Sequence, residues 1–131
     1  MSMRRKLQQL DKAVKEYHER LAQHRIEQED GSFLMRWEHY KVQRVIACAA
    51  VSYGGYVVTG VRHFCPIMGI QIDAIGDQVL KRYCGYTRRV EGFVCQYGFF
   101  LTREEAWDIA NAAGQIKEVH TEGVLYSECY V

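Results

Sequence analysis

Two stretches of this sequence combine residue types and spacings that could do chemistry. The first, Gly60-Val61-Arg62-His63-Phe64, ends a strand-like run with a cation, a titratable ring and an aromatic in succession. An arginine can fork onto a phosphate or stack on a base, so the trio suits an anionic nucleotide. The ordinary alternative is an arginine paired with a carboxylate beside a surface histidine. The second stretch is Thr102-Arg103, where Thr102 precedes Glu105 by three residues and so forms a capping box. A helix start offers free amides and the positive end of a dipole to a phosphate. Every capped helix has such amides, so this signal alone does not separate a ligand site from a cap. Tyr97, Phe99 and Phe100 lie just before that helix. Beside a phosphate cradle they would stack a base; elsewhere they are core.

Other chemistries lack their residues. His63 and Cys65 could begin a metal pair, yet no second close Cys/His pair completes it, and His39 and His120 stand alone. No metal is expected. The five cysteines are odd in number, widely spaced and without a C-x-x-C, which speaks against a disulfide framework. A Cys–His nucleophilic pair has no local signature, and there is no G-x-S-x-G, P-loop or G-x-G-x-x-G. Glu104 and Glu105 are adjacent on a helix and point in different directions, poor geometry for acid–base work. The expectation is a binding protein with no catalytic residues and no cofactor. Its 17 basic and 16 acidic residues, a net charge of +1, disfavour a nucleic-acid polymer but leave room for a small phosphorylated ligand held by a few arginines. No apolar run reaches the roughly 18 residues of a membrane span, and none follows the opening Met-Ser-Met-Arg-Arg-Lys, so a cytoplasmic location without membrane contact is expected.

The elements that must position these residues point to one α+β domain: a long N-terminal amphipathic helix, a small antiparallel sheet with a β-hairpin, and packed helices. From about Met3 to Asp30 the chain has no Gly or Pro, and Met3, Leu7, Leu10, Val14, Tyr17 and Leu21 repeat at alternating steps of four and three. That is a heptad seam, continued weakly by His24 and Gln28, with Gly31 expected to end the helix. Such a stripe either lies along its own domain or pairs with a second chain, and pairing is expected. Residues 1–31 are thus read as an oligomerisation helix and 32–131 as the ligand-binding part. Two apolar runs, Val42–Tyr53 and Tyr56–Val61, separated by Gly54-Gly55, predict a hairpin. A helix is expected from Pro66 with breaks at Gly69 and Gly76, then a loop from Lys81 to Glu91 that includes Arg88-Arg89. A strand is expected over Gly92–Tyr97, a helix from Thr102 to Ala113 stopped by Gly114, and a final strand or packed tail from Gly123 to Val131.

Three blocks together resemble a known family. They are Val58-Thr59-Gly60-Val61-Arg62-His63; Gly92-Phe93-Val94-Cys95-Gln96-Tyr97-Gly98 leading into Leu101-Thr102-Arg103-Glu104-Glu105-Ala106 with Ala113-Gly114-Gln115-Ile116; and Leu125-Tyr126-Ser127-Glu128. Their order and spacing are similar to those of small phage-encoded proteins that include the first type of Thoeris anti-defence protein, over roughly residues 42 to 131. Such proteins are sponges: they bind the cyclic ADP-ribose isomers made by host TIR-domain enzymes and do not degrade them. The resemblance implies an α+β fold, homodimers or higher assemblies of dimers, and a cyclic nucleotide second messenger as partner, glycocyclic ADP-ribose or also cyclic oligonucleotides. It implies action in the host cytoplasm during infection. It also implies phosphate or ribose contacts at Arg62, His63 and Arg103, helped by the helix start at Thr102, with Phe99 or Tyr97 against the adenine. The sequence departs from the family pattern at Val90-Glu91, where Glu-Gln is expected, at Phe99, where a polar residue is usual, and at Cys129, where an Asp is expected. A protein-binding inhibitor of a host defence enzyme, or an enzyme that cleaves the signal, are the competing readings.

Overall fold

Strand β3 (Ile46–Tyr53) is the centre of the molecule, paired antiparallel with β4 (Tyr56–Gly60) on one side and β5 (Val90–Cys95) on the other. The computed structural model describes residues 2–85 and 89–130; the expected loop position Arg88 lies outside them. Strand β6 (Phe100–Thr102) pairs with β5 and gives the order β4-β3-β5-β6. The β3–β4 turn is the expected one. Gly54 and Gly55 take φ of 60° and 98°, as a two-residue turn with both central residues left-handed requires. β3 starts four residues later than the apolar run suggests, and β5 two residues earlier.

Helix α3 (Pro66–Ile75) begins with Pro66 as expected, but Gly69 lies inside it rather than breaking it. Helix α4 (Asp77–Tyr83) follows Gly76, whose φ of 105° makes the corner, and extends into the stretch expected as loop. Helix α5 (Arg103–Ala112) starts at the capping box. The remaining chain forms a packed tail rather than a strand: Ile116 bridges Tyr130, and Leu125, Cys129 and Tyr130 are buried.

Two apolar clusters share the sheet. One gathers Ile46, Ala49, Phe93, Cys95 and Leu101 from the strands, Ala106 and Ala110 from α5, and the tail residues Leu125, Cys129 and Tyr130. The other gathers Val51, Tyr53, Val58, Met68, Val79, Leu80 and Leu10. A fully buried Leu or Phe contributes about 1.5–3 kcal/mol.

Leu10 belongs to the N-terminal helix α1 (Met3–Ala22), part of whose stripe packs on the chain's own domain. Leu10 is buried and Leu7 packs beside it. The Tyr17 hydroxyl donates to the Gly98 carbonyl and accepts from the Phe100 amide at 3.1 Å. Burial, with Asp11 of α1 accepting its hydroxyl, pushes Tyr83 of α4 up to about 12. The helix also stops at Ala22, eight residues short. The chain beyond it forms a small hairpin, β1 (Arg25–Glu27) against β2 (Phe33–Met35), with Gly31 in its turn, and then a short helix α2 (Arg36–His39). Helix propensity favours continuation, but docking His24 and Trp37 on the rings of Tyr97 and Phe99 overrides it. No helix of the described residues is long and apolar enough to cross a membrane.

Candidate functional site

The expected site residues fall into two groups, one near each end of β5. Glu91, near its start, faces the beginning of α5, because Gly92 pairs with Thr102. Tyr97 and Phe99 sit in the turn beyond Cys95. The strand rises about 13 Å between Glu91 and Cys95.

At the first end, β4 delivers Arg62 and His63. The His63 Nε2 donates to the Gly92 carbonyl at 2.7 Å, and its ring packs edge-on to Phe93 at 5.1 Å. Burial lowers the pKa of His63; the hydrogen bond to Gly92 opposes this, and the Arg103 charge adds to it. The ring is therefore neutral at pH 7 and holds the Arg62 loop on β5. Gly92 also lets β6 approach: a Cβ there would collide with the Leu101 carbonyl and the Phe100 ring. Arg103, half-buried, donates from Nη1 to the Leu125 carbonyl at 2.9 Å and from Nη2 to Glu91 at 3.4 Å, with its guanidinium 4.8 Å above the Tyr126 ring. Thr102 is occupied as a cap. Its hydroxyl accepts from the Glu105 amide at 3.2 Å, and its amide donates to the Glu105 carboxylate at 3.0 Å. Its part is thus to fix where Arg103 starts, and the acidic first turn, Glu104 and Glu105, leaves the helix start poorly suited to a phosphate.

Residues that sequence reasoning did not propose for the site complete this end. Arg89 lies 4.7 Å over the Phe64 ring, and with Val90, Glu91 and Arg103 it lines a cleft of about 310 Å³. Arg62, exposed, lies 5.8 Å over the Tyr130 ring and donates to its neighbour's carbonyl, Val61. Arg89 and Arg103 thus share the cleft with Glu91, and Arg62 lies nearby on Tyr130, each guanidinium laid on an aromatic ring. Such an arrangement holds positive charge at the surface with little side-chain freedom left to lose on binding. Arg88-Arg89 stood out in the sequence only as part of a loop, and Tyr126 and Tyr130 only as part of an apolar ending. The contacts between them are tertiary.

At the other end, Tyr97 and Phe99 are packed. Trp37 lies 5.2 Å from Tyr97 and 5.0 Å from Phe99, and His24 lies 5.2 and 5.9 Å from the same rings. Arg44 lies 4.2 Å over Trp37. The Nε of Arg44 and the Nδ1 of His24 are buried without a hydrogen-bond partner among the described residues. The structure therefore brings Arg62, His63, Thr102 and Arg103 together and places Tyr97 and Phe99 elsewhere. Among the described residues no group of three His, Cys, Asp or Glu side chains gathers as a metal site would need.

A family model described as phage T4 y16D protein matches residues 45–130. No curated protein and no solved structure matches the chain. The matched span starts at the threshold of β3 and runs through the tail, so it contains every residue of the arginine cleft. Helix α1, the β1–β2 hairpin, Trp37 and Arg44 lie outside it. With about two-thirds of its length in that match, this chain belongs to the phage T4 y16D protein family.

Proposed function

We propose that this chain is a phage anti-defence protein that binds and sequesters a cyclic nucleotide immune signal, a glycocyclic ADP-ribose, without cleaving it. The observation that carries the reading is the cleft between β5 and α5, where Arg89 and Arg103 line the space beside Glu91 and rest on Phe64 and Tyr126, with the exposed Arg62 on Tyr130 at the same end of β5. A diphosphate replaces the single carboxylate of Glu91 as the partner of these cations. It offers more charge and more acceptor oxygens than the 3.4 Å ion pair it displaces. Glu91, once released, can accept from ribose hydroxyls. Family membership supports a phage origin for this activity, and the sequence resemblance supports the choice of ligand. Sequestration requires only tight, reversible binding, and the described residues that line the cleft are Arg89, Val90, Arg103 and a Glu91 already paired with Arg103.

The test is depletion of signal from an extract containing TIR-made cyclic ADP-ribose. The expected result is loss of signal on adding the protein and its intact return on heating. Arg62→Ala and Arg103→Ala are each expected to weaken binding by about tenfold or more, the scale of hydrogen bonds to charged groups. Loss without return means cleavage. No loss of signal, with a host protein retained on the immobilised chain, means a protein-binding inhibitor, and either result overturns the reading.

A further inference from the structure

We propose that Phe64 is the platform on which the nucleobase of the ligand stacks while its phosphates lie among Arg62, Arg89 and Arg103. The inference rests on the reading above and replaces the aromatics that the sequence suggested for this task. Tyr97 and Phe99 stand at the other end of β5, in contact with Trp37 and His24. Both rings are partly exposed, and Phe99 borders a cavity of about 450 Å³ with Arg25 and Phe33, but neither lines the arginine cleft.

Phe64 stands at the cleft end. Its side chain is 44% exposed, although it is a large apolar residue two positions from Arg62. Its backbone holds φ of 56°, a left-handed conformation that bulky residues rarely adopt and that glycine takes freely. Local packing maintains it: the Phe64 amide points to the sulfur of Met68 at 3.2 Å, and Met68 is completely buried. An exposed ring kept in an unfavourable conformation by a buried anchor is a feature found at ligand clamps. The ring also reaches the cleft through Arg89, whose guanidinium lies 4.7 Å over it and lines the cavity beside Glu91 and Arg103. This contact is at the surface and weakly held, so a base can displace it, since bases stack on phenylalanine irrespective of sequence. The displaced guanidinium then turns its fork to phosphate in the cleft it already borders.

The size of the cleft supports the same division. About 310 Å³ stands at the lower limit for pockets that enclose a whole drug-sized ligand. It accommodates phosphates and a ribose, and the base then needs a surface on the rim. Phe64 supplies one.

The experiment titrates the full chain with etheno-ADP-ribose, whose fluorescence reports base stacking, and with glycocyclic ADP-ribose by calorimetry. Phe64→Gly, which suits the left-handed backbone, is expected to weaken both by about tenfold to a hundredfold. Its thermal midpoint, measured in parallel, separates this loss from misfolding. Phe64→Trp is expected to retain binding, because a larger ring still stacks. If Phe64→Gly binds as the wild type does while Arg62→Ala does not, the platform is wrong and the phosphate cleft stands. If the wild type binds neither probe, the reading of the cleft fails and the platform with it.

Discussion

The two ends of β5 are built from the same residue types and do opposite things with them. At the turn end, Arg44 lies on Trp37, which faces Tyr97 and Phe99, and both Arg44 and His24 leave a buried nitrogen without a partner among the described residues. At the cleft end, Arg62 and Arg89 lie on Tyr130 and Phe64, and both are exposed. An unpartnered buried donor costs stability that only close packing offsets. The turn end therefore fastens: it attaches the β1–β2 hairpin and α2 to the sheet. The cleft end keeps its donors available. Motif reading weighs arginine and aromatic together and cannot tell fastening from readiness; exposure decides.

Trp37→Ala makes the sharpest break in this comparison. It empties the centre of the turn-end cluster and is expected to lower stability by about 2–3 kcal/mol, below the full cost of a buried Trp because this one is half-exposed. Denaturant midpoints measure it, and nucleotide affinity is expected to stay unchanged. A matching loss of affinity would mean that the ends are one unit. A smaller effect is expected from Thr102→Ala, which removes the cap of α5 at a cost of about 1 kcal/mol and also loosens the start of Arg103. Here affinity and stability should fall together, in contrast to Trp37→Ala.

The smallest effect is in pH. The folded-state pKa of His63 is depressed, so the unfolded chain takes up a proton near the ordinary value of about 6.5 while the folded chain does not. The stability that His63 contributes is complete above that value and is lost as pH falls through its lowered folded value. His63→Gln keeps a donor for the Gly92 carbonyl and removes the titration. Its urea midpoint is expected to decline less between pH 7.5 and pH 5 than that of the wild type.

Local rules made much of this legible. The Gly54-Gly55 turn, Pro66 at a helix start and the box of Thr102 and Glu105 are settled by backbone chemistry within a few residues, and each stands where the sequence puts it. Arg62, His63 and Arg103 could be named because a strand end and a helix start position them. The segment from Gln23 to Asp30 could not be read this way. Its residues favour helix, and it leaves the helix for contacts with Trp37, Tyr97 and Phe99 that no local window contains. The same holds for β6, three residues long and formed only against β5. The stripe of α1 follows from its periodicity, but periodicity specifies a face and not what each residue meets; Leu10 and Leu7 meet the chain's own sheet and α4.

The packed tail has a consequence for how the protein is born. The cluster around Leu10 draws its residues from no later than Tyr83, whereas the one around Phe93 joins Ile46 to Leu125, Cys129 and Tyr130. At ribosomal speeds the interval between synthesis of Ile46 and of Tyr130 is on the order of ten seconds. During it the helix side of the protein can settle while the opposite face of β5 waits for the residues that cover it. Arg103 also waits, since the carbonyl that steadies it belongs to Leu125. The chain thus matures from one side to the other, and a nascent copy still short of Leu125 has its cleft open on the side of the tail.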